Sequence, residues 1–217
     1  MAKVRPVGIA GLGRYVPDRV LTNQDLEKIV DTSDEWIVQR TGIRERRIAA
    51  DDQVTSSLAL LAAQQALEHA KMPADELQLI ICATVTGDQP FPATACRIGC
   101  DLGAKQAGGF DISAACVGFV HATQVATNLV ASGAYDRVLV CGAEILSRIL
   151  DYQDRNTCVL FGDGSGAAVF MPHDECQQGE YLGGSMSMEG GAEGILSQPA
   201  GGSRHPCLLY TSPSPRD

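Results

Sequence analysis

Two stretches, LQLIICATV (77–85) and DRVLVCGAE (136–144), are continuous apolar runs. Each is too short for a helix of ordinary length, and neither alternates as a strand with one wet face would. Such a run buries both faces, which is the situation of a parallel strand covered by helices above and below. The segments between them keep a different period. TSSLALLAAQQALEHAK (55–71) repeats Leu58, Leu61 and Leu67 with alanines at helical spacing; Ser56 or Ser57 is placed to cap its start and Pro73 to stop it. PATACRIGCDLGA (92–104) opens on proline and closes near Gly103. CVGFVHATQVATNLVASG (116–133) carries an apolar stripe through Val117, Val120, Val125 and Leu129 and ends at Gly133. GGFDIS (108–113) and VGIAGLGRYVP (7–17) add strand candidates, and VLFGDGSGAAVFMP (159–172) reads as two short strands bent at the glycines. Strands and helices in alternation predict an α/β layered fold.

The composition fits that fold. The 217 residues allow a sizeable core, and 23 glycines with many alanines suit layers packed closely together. A net charge of −9 argues against general nucleic-acid binding, while leaving room for a local basic site that takes a phosphate-bearing ligand. No run approaches the roughly 18 apolar residues of a membrane span, and the N-terminal stretch lacks the apolar core of a signal peptide. The eight cysteines fall mostly inside apolar segments, so most are expected to be reduced, buried small hydrophobes of a cytoplasmic protein.

One cysteine sits differently. In FDISAACVGF (110–119), Cys116 follows a strand and a tight turn and precedes an apolar helix. A helix start offers unpaired backbone N–H groups and the positive end of the helix dipole, both of which favour a thiolate. Strand-to-helix elbows hold nucleophiles in other acyl-transfer enzymes. On the residues alone a buried, unreactive cysteine is the commoner outcome, since free cysteines are so often simply buried. Other motifs are excluded. GIAGLG (8–13) lacks the helix that must follow a dinucleotide fingerprint, FGDGSGA lacks the lysine of a P-loop, and no second pair completes a zinc site with Cys96 and Cys100.

LTNQDLEKIVDTSDEWIVQRTGIRERRIA (21–49), FPATACRIGCDLG (91–103), FDISAACVGF (110–119) and FGDGSGAAV (161–169), in that order, closely resemble the β-ketoacyl-acyl-carrier-protein synthase III family of thiolase-like condensing enzymes. The resemblance spans roughly residues 5–199. It implies the first of two similar α-β-α-β-α halves, with a mixed sheet flanked by helices. It implies that Cys116 accepts an acyl group, typically acetyl, from coenzyme A. Malonyl-acyl-carrier protein then loses CO2 and attacks the thioester, giving a 3-ketoacyl product. Covalent capture divides one difficult step into two easier ones. The resemblance places Trp36 and Arg155 about the adenine of coenzyme A, with Thr32 and Arg40 nearby. It sends Phe91 across a homodimer interface to limit the partner's acyl pocket. No cofactor and no metal are implied, since acyl-coenzyme A is a substrate. On the residues alone, Trp36 and Arg40 share a helix face, Trp36 serves equally as packing, and the run Arg40, Arg44, Arg46, Arg47 reads as a solvated basic face.

Two of the family's motifs do not occur here: a histidine in a Pro-His-Gln-Ala-Asn stretch and an asparagine in a Gly-Asn-Thr-Ser stretch. The four histidines lie in other contexts, and His121, five residues beyond Cys116, points away from it. The expected organisation is therefore a Cys-bearing half over 1–175, the start of a link over 176–200, and a Ser/Pro-rich, non-native, disordered tail over 201–217. The chain is expected to be a fragment, inactive in condensation and prone to associate. A related condensing enzyme of polyketide or quinolone synthesis, and a non-catalytic half-fold interaction protein, are the competing readings.

Overall fold

The computed structural model describes residues 4–187, 189–192 and 196–206. Residues 1–185 and 186–217 are separate compact units. The second is irregular where described, apart from a 3-10 turn at Gly190–Ala192. Cys207 and residues 207–217 of the expected tail lie outside the described residues.

The first unit is built on a five-stranded sheet. In chain order its strands are β1 (Val7–Tyr15), β4 (Leu79–Ala83), β5 (Gly108–Ile112), β6 (Val138–Ile145) and β7 (Asp163–Pro172), and their spatial order is β1-β7-β6-β4-β5. β4 runs parallel to β5 and β6, while β7 is antiparallel to β6 and β1, so the sheet is mixed. A two-stranded ribbon, β2 (Arg19–Thr22) with β3 (Glu45–Ile48), stands apart. Helices α1 (Asn23–Leu26) and α2 (Asp34–Thr41) lie between its strands in sequence.

The apolar runs do bury both faces. From β4 and β6, Ile80, Cys82, Leu139, Cys141 and Ala143 point to one side, where they meet α3 (Thr55–Ala70) and α4 (Thr94–Leu102). Leu79, Ile81, Ala83, Val138 and Val140 point to the other, against α5 (Gly118–Ala131). The period of two divides each run between two cores. At α3 the approach is close. A Cβ on Gly11 would collide with the carbonyl oxygen of Ala66, and one on Gly13 with that of Ala62. This is the use of the glycines in GIAGLG: they let a helix backbone rest on the strand. The same helix protects the outer edge of β1. The Leu12 N–H donates to His69 Nδ1 at 3.1 Å and the Arg14 N–H to Gln65 Oε1 at 2.6 Å, so this edge presents fewer free N–H groups to another strand.

Several expectations are corrected. The segment 159–172 holds one strand, not two; pairing with β6 on one side and β1 on the other keeps its glycines extended. Neither Ser56 nor Ser57 is the N-cap of α3. That position is Val54, and the Ser57 hydroxyl reaches back to accept its N–H, while Ser56 bonds Asp88. Lys71, in the left-handed region at φ 53°, ends α3 before Pro73 is reached. The buried stripe of α5 runs through Gly118, Ala122, Ala126 and Val130; of the expected stripe, Val125 and Leu129 pack partly buried against the core, whereas Val117 and Val120 are exposed. Small residues win that face because the helix sits tight on the sheet. Cysteines are less buried than expected: among the described residues only Cys82, Cys141 and Cys158 are buried, Cys176 is intermediate, and Cys96, Cys100 and Cys116 are exposed. A short helix, α6 (His173–Cys176), closes the sheet unit after β7.

Candidate active site

β5 ends at Ile112, and the chain turns through Ser113 and Ala114 into a 3-10 turn, Ala115–Val117, that leads directly into α5. Ala115 adopts φ 45°, a left-handed conformation that costs a residue with a Cβ on the order of 1 kcal/mol or more. Such strain persists where the surroundings impose a sharp change of direction. Gly118, the first residue of α5, lies against Ala83, the last of β4. Cys116 therefore stands beyond the C-terminal ends of two parallel strands, the usual position for chemistry in open α/β sheets. Its thiol is exposed.

Three carboxylates fix the connection from β4 to α4. Glu144, near the end of β6, accepts the N–H of Val85 at 2.9 Å and that of Thr86 at 3.1 Å, together with the Thr86 hydroxyl. Asp111, on β5, accepts the N–H groups of Thr94 and Ala95 at 2.6 and 2.8 Å, holding the first turn of α4. Asp88 accepts Ser56 N and Oγ at 2.8 and 2.6 Å. The segment held in this way displays Phe91, which is 82% exposed. A fourth acid, the buried Asp163, accepts Ala49 N, Ser147 N and Ser147 Oγ. None of the four was singled out from the sequence. The available signal was an acid at the end of an apolar run, where only a cluster of loop N–H groups can satisfy it.

A second cluster forms on α2. Ser33 caps this helix, accepting the Trp36 N–H, and Gly42 closes it in the left-handed region. Trp36 is half-buried against the Leu21, Leu26, Ile37, Ile48, Cys158 and Val159 cluster. The guanidinium of Arg40 lies 5.0 Å from its ring centroid and that of Arg155 5.3 Å, both within cation–π range. Arg155 reaches this position from the loop after β6, donating to the Asp31 carbonyl at 3.1 Å. Thr32 sits just before the cap, and its hydroxyl is buried without a partner among the described residues. The structure thus brings Trp36, Arg40 and Arg155 together. Arg46 departs from the solvated face expected of its run. It is 4% exposed and bonded to Asn23 and to the Val159 carbonyl, because β3 turns it inward beneath the loop that carries Arg155.

The thiols divide by environment. Burial pushes Cys141 up to about 12 and raises Cys82 and Cys158. Folded, these three hold their protons; their contribution to stability is full below the ordinary thiol range and is lost as pH rises towards the raised values. Iodoacetamide at neutral pH is therefore expected to modify Cys96, Cys100 and Cys116 in the native chain, and Cys82, Cys141 and Cys158 only after denaturation. Peptide mass mapping checks this, and native labelling of Cys82 or Cys141 would contradict the packing. Among the described residues, no group of three or more His, Cys, Asp or Glu is placed to hold a metal ion, and no helix is long and apolar enough to cross a membrane.

The chain is similar to known proteins in sequence and in fold. The family model for 3-oxoacyl-[acyl-carrier-protein] synthase III matches residues 110–190. The β-ketoacyl-[acyl-carrier-protein] synthase III of Desulfitobacterium hafniense is 53% identical over 205 residues, 94% of this chain and 61% of that protein. The crystal structure of 3-oxoacyl-[acyl-carrier-protein] synthase III from Aquifex aeolicus superposes with a TM-score of 0.75 at 53% identity, covering 76% of this chain and 53% of the other. A priming β-ketosynthase from a polyketide biosynthetic pathway superposes with a TM-score of 0.78 at 41% identity, covering 80% and 52%. The fold is thiolase-like. With half its residues shared along nearly its whole length, and spanning about three-fifths of the curated relatives it matches, the chain belongs to the β-ketoacyl-[acyl-carrier-protein] synthase III family.

Proposed function

We propose that this chain carries the acyl-accepting part of a β-ketoacyl-acyl-carrier-protein synthase III, an acyltransferase of fatty acid synthesis, with Cys116 as nucleophile. The observation that supports it best is an exposed thiol on a strained turn at the start of α5, within a sequence 53% identical to such a synthase. The Cys116 thiolate attacks the thioester carbonyl of an acyl-coenzyme A. The carbon–sulfur bond to coenzyme A breaks, the acyl group stays on Cys116, and the coenzyme leaves as a thiol after gaining a proton. In the condensation that follows, malonyl-acyl-carrier protein loses CO2 and the resulting carbanion displaces Cys116, forming a 3-ketoacyl-carrier product. No cofactor takes part in either step.

Trp36, Arg40 and Arg155 are the proposed coenzyme A contacts, with Thr32 beside them. A flat adenine stacks on the indole, and guanidinium groups match phosphate bidentately. Arg155 stands close enough to the ring that an entering base must displace it. Trp36→Ala is expected to weaken coenzyme A binding about tenfold or more, as loss of an aromatic–base stack does. Calorimetric titration measures this, and unchanged affinity would remove Trp36 from the site. Phe91 is proposed to reach a partner subunit's acyl pocket in a cytoplasmic homodimer.

The 1–175 segment is proposed as the Cys-bearing half, 176–200 as the opening of a link, and 201–217 as foreign to the fold. The charge-stabilising histidine and asparagine motifs of the family are not in this sequence, and loss of a single oxyanion donor already costs about 10²–10³ in rate. The 217-residue chain is therefore expected to accept an acyl group without condensing it. A second reading, priming of polyketide synthesis, draws on the 41% identity to the polyketide ketosynthase. Competition among acetyl- and longer acyl-coenzyme A donors for Cys116 separates the two: an acetyl preference supports the first, a bulkier starter the second.

A further inference from the structure

We propose that Asn23 and Arg46 are positioning residues that set the gap between Trp36 and Arg155 from inside the core, an inference that rests on reading this gap as the coenzyme A site. The two sides of the gap come from separate segments. Trp36 and Arg40 stand on α2, whereas Arg155 stands on the loop between β6 and β7. On the surface, Arg155 is tied to the segment before α2 only through the Asp31 carbonyl at 3.1 Å and the exposed Asp31 carboxylate at 3.8 Å. An incoming phosphate competes with both. The constraint that survives ligand entry lies underneath.

Arg46 Nε and Nη2 donate to the Val159 carbonyl at 3.1 and 2.6 Å, holding the loop four residues beyond Arg155. Its Nη1 donates to Asn23 Oδ1 at 2.5 Å. Asn23, fully buried, donates from Nδ2 to Asp34 Oδ1 at 2.7 Å and to the Ile43 carbonyl at 2.9 Å. Asp34 is the first residue of α2, and Ile43 follows the glycine that ends it. One hydrogen-bonded chain thus grips both ends of the helix that carries Trp36 and, through Arg46, the loop that carries Arg155. The Asn23 amide uses its oxygen for the guanidinium and both N–H groups for α2, so a different residue at 23 breaks one side or the other. Trp36 packs against the apolar cluster that includes Val159, the residue whose carbonyl Arg46 holds.

The arrangement is costly. Among the described residues, no carboxylate lies within 4 Å of Arg46 to pair with it, and burial depresses its proton affinity. Cys158 and Tyr152 beside it are pushed up by burial and stay neutral. A buried cation held only by neutral acceptors is a poor means of gaining stability; apolar packing would do as well. It does fix two segments at a defined separation, which apolar packing does less sharply.

Trp36 is the only tryptophan, so its fluorescence reports the gap directly. The test compares the parent 217-residue chain with Arg46→Lys, Arg46→Gln and Asn23→Ser. Leu129→Ala, a truncation on α5 away from this cluster, serves as a control for general destabilisation. Without ligand, acrylamide quenching of Trp36 is expected to rise roughly twofold in the Arg46 and Asn23 variants, as local opening requires. It is expected to stay at the parent value in Leu129→Ala at matched thermal midpoint. Coenzyme A affinity is expected to fall about tenfold in the same variants and not in the control. If Arg46→Gln does not fold, Arg46→Lys and Asn23→Ser decide. Parent-like quenching in a folded Arg46→Lys chain overturns the proposal, and so does equal quenching in Leu129→Ala. A parent chain that binds no coenzyme A would refute the ligand reading, while ligand-free quenching still judges the positioning.

Discussion

Acetyl-coenzyme A is expected to acetylate Cys116 and no other cysteine of this chain, and Cys116→Ala is expected to abolish the label. Exposure alone does not select this residue, since Cys96 and Cys100 are exposed as well. Position does. Cys96 lies in the first turn of α4, whose leading N–H groups are already taken by the Asp111 carboxylate, and Cys100 lies a turn further along it, whereas Cys116 precedes α5, where the first helical N–H groups have no partner within the helix. Those groups and the helix dipole stabilise the negative charge that develops as a thioester is attacked. In an acyl-transfer enzyme, loss of the nucleophile costs about 10⁶ in kcat, so Cys116→Ala should fall to the detection limit. The measurement is peptide mass spectrometry after incubation with acetyl-coenzyme A, with Cys96→Ser as a control that keeps the label. Equal acetylation of Cys96 and Cys116 would reduce the reaction to surface chemistry and remove Cys116 as the proposed nucleophile.

Gly13→Ala should be the most damaging single methyl group in the fold. The added Cβ would collide with the Ala62 carbonyl oxygen and the Ala66 nitrogen, both part of the backbone of α3. No rotamer change relieves such a clash; strand and helix must separate. Their separation opens the core that Ala59, Ala62, Ala63 and Ala66 share with the sheet. The expected loss exceeds about 3 kcal/mol, against total stabilities of about 5–15 kcal/mol for domains of ordinary size. Gly42→Ala is the matched control. Its glycine has φ 75° with nothing within 4 Å, so the substitution costs only the backbone penalty of about 1–2 kcal/mol. Urea unfolding monitored by circular dichroism compares the two. A Gly13→Ala midpoint equal to that of Gly42→Ala would mean that α3 does not rest on β1 as described.

Much of the fold was legible in local pattern. The runs around Ile80 and Val140 are apolar at every position because both faces of the sheet are covered, and that condition is written into consecutive residues. The strand–turn–helix setting of Cys116 is equally local, as is the shared face of Trp36 and Arg40. The stripe of α5 misled for a definite reason. Large apolar residues mark a buried face only when the helix stands off from its neighbour; here alanines and a glycine make the contact, and Val117 and Val120 are left outside. The 159–172 segment misled because glycines mark a bend only where no neighbouring strand holds them straight.

Periodicity and motif, then, determined the layered α/β class, the elements, the family and the candidate nucleophile, since each depends on residues within a few positions of one another. Tertiary structure alone decided that Arg155 meets Trp36 from 119 positions away, that Arg46 is a buried clamp and not a solvated charge, and that Asp163 gathers N–H groups from residues 49 and 147. A charged side chain is buried or exposed according to the partners that reach it from distant segments. A sequence states its own hydrogen-bonding capacity at each position, but not which distant group arrives to satisfy it.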